Sequence, residues 1–262
     1  MVLNHKVILV KRPTGLPEPK HFEVVEEDLK PDLKNGEVLV KVDWIAVDPA
    51  QRMWISGRRT YYDPVAVGAV VTSYGIGRVL ESKSPLFSPS CRVFGLLGWQ
   101  EIAKVKAGVL TKIPSYDNPR NYLGVLGING MAAYFGFFEI AKPRKGETIV
   151  VSAAAGSVGS LVCQLARMKQ LRVIGIAGTD DKCNWVTKDL GAVACINYKT
   201  TENLTQAIKH LCPQGVDIYF DNVGGAILDA VIANINRFGR VVLCGALCSY
   251  NEQIVPPIYH YP

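Results

Sequence analysis

From about residue 148 the sequence settles into a rhythm that few folds can accommodate. Short β-branched runs at 148–153, 172–177, 194–198, 216–221 and 240–244 are separated by helix-like segments at 157–170, 180–190, 202–212 and 226–238. In the first of these segments Val158, Leu161, Val162, Leu165 and Ala166 recur at i, i+3, i+4, i+7 and i+8, which is one face of a helix. Gly191, Gly215 and Gly239 each follow a helix, where a left-handed closing residue is expected. Strands joined through helices of this length predict a parallel, doubly wound α/β sheet.

Residues 1–122 have a different texture. KVILVK, FEVVEED, EVLVKVDWIAVD, IGRVLES, RVFGLLG and EIAKVK read as short strands, broken by PTGLPEP, KPDLKNG and KSPLFSPS. They predict a β-rich barrel or sandwich-like domain at 1–122, followed by a nucleotide-binding domain at 123–262. The stretch YLGVLGINGMAAYFGFFEIA at the junction reads as helical in part. None of the first domain's residues makes a catalytic motif alone.

Composition narrows the function. The chain has 262 residues, 48% of them hydrophobic and 20% charged, the balance of a globular protein. No apolar run approaches the roughly 20 residues of a membrane span. MVLNHKVILVKRP lacks a cleavable signal pattern, and the expected location is cytoplasmic. A charge of +6, from 29 Lys+Arg against 23 Asp+Glu, is spread without basic runs, which argues against nucleic-acid binding as the main activity. Seven cysteines without C-x2-C spacing and four scattered histidines predict reduced thiols and no metal site.

The first strand of the alternating half runs into Ala153-Ala154-Ala155-Gly156-Ser157-Val158-Gly159. In the fingerprint G-x-G-x-x-G the second glycine lets backbone approach a pyrophosphate, and the third lets helix and strand pack closely. Gly156 and Gly159 fill those places, with Ala154 at the first. Amides at the helix start would face the phosphates. The second strand ends Ile176-Ala177-Gly178-Thr179 with no acid at its tip, and Lys182 follows. A hydroxyl and a cation suit a 2′-phosphate that a carboxylate would repel, so NADP is expected over NAD.

Taken together, GINGMAAYFGF (127–137), VVSAAAGSVGS (150–160), GTDDK (178–182), INYK (196–199), YFDNVGG (219–225) and LCGALCSYN (243–251) form an ordered set with VDPAQRMW (47–54) and GWQE (98–101). That set resembles the zinc-free medium-chain dehydrogenases/reductases, in the prostaglandin reductase or leukotriene B4 12-hydroxydehydrogenase group with the alkenal double-bond reductases. The resemblance implies a GroES-like first domain, a Rossmann second domain, and NADPH-dependent reduction of the C=C bond of α,β-unsaturated aldehydes and ketones, by hydride transfer to the β-carbon. It implies pyrophosphate contacts at Ala155, Gly156, Ser157, Val158 and Gly159, and 2′-phosphate contacts at Thr179, Lys182 and Tyr198. Contacts to the nicotinamide half fall at Asn222 and at Cys244, Gly245, Ala246, Leu247, Cys248, Ser249 and Tyr250. Partners implied are a small enone or enal and a second copy in a homodimer.

An enone reduced at its β-carbon leaves negative charge on the carbonyl oxygen, and a positioned donor there suffices without a histidine or paired carboxylates. Tyr250 is the candidate catalytic hydroxyl, and Trp99 and Gln100 are candidates for the substrate pocket. Tyr61 and Tyr62 read as packing or surface residues. Two positions depart from the resemblance: Ala50 stands where an aromatic is usual, and Ala132 where threonine is common. The nucleotide-binding half is also expected to lack its last strand or strands, since the usual order 3-2-1-4-5-6 has a sixth and five are readable here. That leaves two other readings open, a shortened non-catalytic NADPH-binding relative and a quinone reductase.

Overall fold

The computed structural model describes residues 2–252. The chain divides after Leu123 into two compact units. In the first unit β1 (Val2–Leu9) and β2 (Phe22–Leu29) form an antiparallel pair. β3 (Glu37–Ile45), β4 (Tyr74–Ser82), β5 (Arg92–Leu96), β6 (Ile102–Lys106) and β7 (Leu110–Lys112) form a second sheet in the order β6-β3-β4-β5-β7. Helix α1 (Ala50–Trp54) sits between β3 and β4 in the chain. β7 was not legible in the sequence; it is three residues long and owes its existence to pairing with β5.

Alternation along these strands builds the packing. Val38, Val40, Val79, Val93, Leu97 and Ala103 are buried together. Leu9, Trp54, Ile55, Val65 and Val71 form a second cluster, which anchors β1 and α1.

The second unit opens with α2 (Ile128–Phe135), which runs into a π-helical turn at Gly136–Ala141. β8 (Thr148–Ser152), α3 (Ser157–Met168), β9 (Arg172–Ala177), α4 (Asp180–Lys188), β10 (Ala194–Asn197), α5 (Leu204–Leu211), β11 (Val216–Asp221), α6 (Gly225–Ile232) and β12 (Ile235–Leu243) follow. The sheet is parallel with order β10-β9-β8-β11-β12, the doubly wound 3-2-1-4-5 arrangement. All five residues of β8 are buried. Because successive side chains point to opposite faces, Ile149 and Val151 pack with α2, α3 and α4 residues, while Val150 packs with α5 and α6 residues. Among the described residues β12 has β11 as its only strand neighbour.

One expectation fails at the end of this unit. The helix read at 226–238 stops at Ile232, and β12 already begins at Ile235. Asn234 closes the helix, its side chain donating to the Ala230 and Thr205 carbonyls at 2.9 and 3.1 Å. Gly239 therefore lies inside a strand, and the left-handed residue there is Phe238 (φ 66°). Pairing with β11 jumps from Val216–Ile235 to Ile218–Arg240, so the residues between form an outward excursion. Gly191 (φ 72°) and Gly215 (φ 81°) do take the left-handed conformation.

Candidate functional site

In a sheet of this order the strands are added outward to one side of β8 and then to the other, beginning with β11, and ligands bind outside the carboxyl ends of the strands at that switch point. Three groups of expected residues meet the same sheet edge. The first is the loop between β8 and α3. Ala153 adopts φ 46°, and its carbonyl accepts the Gly156 amide at 2.8 Å. A Cβ at Gly159 would run into that carbonyl oxygen, so the third glycine is required by the close passage of helix over loop. A Cβ at Gly156 would meet only Ala153, its oxygen at 3.0 Å, and the outer side of the loop is open. Gly156 is the N-cap of α3 and has no side chain to offer, so the first amides of that helix are left for an outside acceptor. An open loop with free amides and a helix N-terminus fits a pyrophosphate.

The second group lies at the ends of β9 and β10. Thr179 caps α4, its hydroxyl accepting the Lys182 amide at 3.3 Å, which fixes the start of the helix that carries Lys182. The Lys182 side chain is exposed. Tyr198 crosses Gly178 so closely that a Cβ there would lie 3.2 Å from its ring, and Lys199 reaches the same spot with its Cε at 3.5 Å. Lys199 is a second cation at this corner; nothing in its spacing distinguishes it from a surface lysine. The neighbouring Asp180 is engaged, accepting the Asn197 amide at 2.7 Å. A hydroxyl, a phenol and two lysines around a glycine fit a 2′-phosphate better than a bare ribose.

The third group joins β11, β12 and the segment after β12. Asn222 is buried; its side chain donates to the Ser152 carbonyl at 2.7 Å, and its backbone amide donates to the Ser152 hydroxyl at 2.9 Å. This links the end of β11 to the residue just before the phosphate loop. Gly245 rests on Asn222, where a Cβ would lie 3.0 Å from the Asn222 oxygen and 3.3 Å from the Tyr250 hydroxyl. Tyr250 folds back on its own segment and accepts the Ala246 amide at 3.4 Å. Ser249 is buried with its hydroxyl on the Ala246 carbonyl at 3.0 Å, whereas Cys244 and Cys248 are exposed free thiols. Although both residues are exposed at the surface, partial desolvation of their sulfurs and then the nearby Asp221 carboxylate push both thiols up, so they are mostly protonated at neutral pH.

Asp221 organises this third group and was not singled out by the sequence. It is 1% exposed. One carboxylate oxygen accepts from the Tyr219 hydroxyl (2.7 Å), the Gly224 amide (2.8 Å), the Val223 amide (2.9 Å) and the Ser152 hydroxyl (3.2 Å). Its main-chain oxygen takes the Cys244 and Gly245 amides at 2.8 and 3.1 Å. One residue thus holds both segments expected around the nicotinamide. Burial, with Asp221 beside it, raises the Tyr219 phenol far above its ordinary range, and it serves only as a donor.

Trp99 and Gln100 lie in the first unit, where with Trp44, Val42 and His5 they line a cavity of about 330 Å³. The Trp99 ring stacks on Phe22 at 5.8 Å. Gln100 spends its amide internally, donating to the Leu97 carbonyl at 2.7 Å and accepting from Asn4 at 3.4 Å. Tyr62 packs on Trp54 and bonds Tyr74 hydroxyl to hydroxyl at 2.6 Å, and Tyr61 is exposed. Among the described residues no three His, Cys, Asp or Glu side chains are grouped to hold a metal, and no helix is long and apolar enough to cross a membrane.

Residues 5–113 match the family described as the N-terminal domain of oxidoreductase, and residues 157–259 match the zinc-binding dehydrogenase family. A putative NADP-dependent oxidoreductase of Bacillus subtilis is 42% identical, over 95% of this chain and 74% of its own length. The NADP-dependent 2-alkenal reductase of Nicotiana tabacum is 39% identical, with the same two coverages of 95% and 74%. The chain belongs to the medium-chain dehydrogenase/reductase family. Its structure superposes on that of CurA from Vibrio vulnificus in complex with NADPH with a TM-score of 0.90 at 33% identity, over 97% of this chain and 75% of that one. Membership in this family makes the chain an NADP-dependent oxidoreductase by descent.

Proposed function

We propose that the chain binds NADPH along the carboxyl edge of the parallel sheet and reduces the C=C bond of α,β-unsaturated aldehydes and ketones. The observation that carries this reading is the junction at Asn222, which bonds Ser152 before the phosphate loop on one side and accepts the Leu247 amide, at 3.3 Å in the segment bearing Tyr250, on the other. NADPH, when bound, supplies hydride to the β-carbon of the enone. The chain's residues then have separate tasks. The α3 amides after Gly156 hold the pyrophosphate, and Thr179, Lys182, Tyr198 and Lys199 hold the 2′-phosphate. Asn222 and residues 244–250 frame the nicotinamide half.

Tyr250 is placed to answer the charge that appears on the substrate oxygen. Its oxygen accepts the Ala246 amide, which leaves the phenolic hydrogen for an outside acceptor. A donated hydrogen bond upstream also polarises the O–H, making it a better donor to a developing enolate. The first unit, residues 1–122 in this reading, supplies the substrate side, with Trp99 and Gln100 as its pocket candidates. Cytoplasmic residence and a homodimer belong to the same reading, and sedimentation velocity tests the dimer.

The deciding experiment follows intrinsic fluorescence during titration with NADPH and then NADH, and adds 2-nonenal to the saturated protein. Tight NADPH binding with oxidation only after the enal is added supports the proposal. Binding without turnover assigns a non-catalytic relative, and faster turnover with quinones than with enals assigns a quinone reductase. Tyr250→Phe is expected to lower kcat about a hundredfold while leaving NADPH affinity intact. Lys182→Asp is expected to move cofactor preference toward NADH; an unchanged ratio removes Lys182 from the site.

A further inference from the structure

The first unit carries an arrangement of charge that the proposed activity does not use. Lys41 on β3, Arg78 on β4 and Arg92 on β5 stand directly opposite one another in adjacent strands. Lys112 on β7 stands one residue along, opposite Val93. Like charges placed side by side across a sheet repel and weaken it. Arg78 is compensated by Asp43, which it grips with two nitrogens at 3.2 Å. Glu101 feels Lys41, although its carboxyl is held low first by its hydrogen bond to His5. Among the described residues no carboxylate pairs with Arg92 or Lys112.

All four cations line a single cavity of about 730 Å³. Val79, Leu80, Ile113 and Pro114 supply an apolar wall to the same cavity. Strands lie about 4.8 Å apart, so Lys41 and Arg92 are separated by two spacings, roughly 10 Å. A row of this length beside an apolar wall accommodates a molecule with one anionic group at each end and its middle along the wall. The Arg92 guanidinium adds the fork geometry that phosphate and carboxylate accept best, while the fork of Arg78 is held by Asp43.

We propose that this cavity binds a small, elongated polyanion, with phosphate or carboxylate groups spaced to bridge Lys41 and Arg92. The site is separate from the phosphate contacts assigned to NADPH, which all fall on the second unit's elements, and it stands whether or not that assignment holds.

The test is isothermal titration of the full chain at low ionic strength, with excess NADPH present, using inorganic tripolyphosphate and citrate as separate probes. The expected result is one-site binding that weakens as salt is added. The triple variant Lys41→Gln/Arg92→Gln/Lys112→Gln should lose about tenfold or more in affinity, while Lys182→Ala/Lys199→Ala keeps the wild-type value. Removing repulsion should leave the unliganded triple variant at least as thermally stable as wild type. If that variant misfolds, the single variants Arg92→Gln and Arg92→Lys serve instead, with the lysine expected to retain more binding. Preference for tripolyphosphate assigns phosphate, and preference for citrate assigns carboxylate. Absence of binding to both probes, unchanged affinity in the triple variant, or loss in the Lys182/Lys199 variant overturns the proposal. So does an oligonucleotide that binds the same lysines and arginines more tightly than either probe.

Discussion

A methyl group at position 159 has nowhere to go, because the Ala153 carbonyl already occupies the place where a Cβ would stand. Gly159→Ala is therefore expected to cost about 1–3 kcal/mol of stability. It should also weaken NADPH binding, since relief requires the phosphate loop to move; thermal unfolding and a fluorescence titration on one sample check both. Asp221 invites the opposite experiment, removal of a group. Asp221→Ala leaves the Tyr219 hydroxyl and the Val223 and Gly224 amides without their acceptor in a buried place. Each stranded donor costs about 1–3 kcal/mol, so a total loss of about 3 kcal/mol or more is expected in denaturant unfolding. The two residues differ in how readable they are. Gly159 stands in a spacing that has a mechanical meaning, and position alone gives it away. Asp221 stands beside Asn222 with no spacing signal, and its role exists only because Ser152, Tyr219 and Gly224 converge on it in space. Lys199 is hidden for the same reason: its neighbour across the corner is Gly178, 21 positions earlier.

Among the elements, the parallel strands were legible because each is short, β-branched and followed by a clear helical period. The first half of β12 was not, since Ile235-Asn236-Arg237-Phe238 contains no breaker and continues the helical pattern of α6, so that only its end at 240–244 reads as a strand. The strand is imposed by pairing with β11 and by the Asn234 closure, both tertiary effects. The first pair of strands offers a pH test of a similar long-range tie. His5 on β1 contacts Glu101 at 2.7 Å and Glu26 on β2 at 3.3 Å. Those carboxylates, Glu101 first, raise the His5 pKa above its ordinary 6.5. A raised folded-state value means the contribution is complete below pH 6.5 and fades as pH rises through the folded value. His5→Gln should therefore destabilise the first unit at pH 6 more than at pH 9. Equal losses at the two pH values would show that the contact acts without its charge.

For the whole molecule, the two units have separate cores, and the cofactor contacts proposed above lie in the second. Binding to the folded state alone stabilises it by about 2.7 kcal/mol at a ligand concentration of 100 Kd. Hydrogen exchange with and without NADPH should consequently show its largest added protection at 153–159, 178–182, 198–199, 221–225 and 244–250. Protection spread evenly along the chain would place the ligand elsewhere. The units also differ in how far apart in sequence their partners lie. Neighbouring parallel strands β8 and β9 are joined through one helix, and each can pair soon after it is made. β1 is different: Val7 donates its amide to Trp99, Lys6 bridges to Gln100, and His5 meets Glu101 across 96 positions. Contacts this distant close slowly. During synthesis β1 can pair early with β2, but its other edge must wait until residues 99–101 are translated, and until then that edge is exposed to proteases and chaperones.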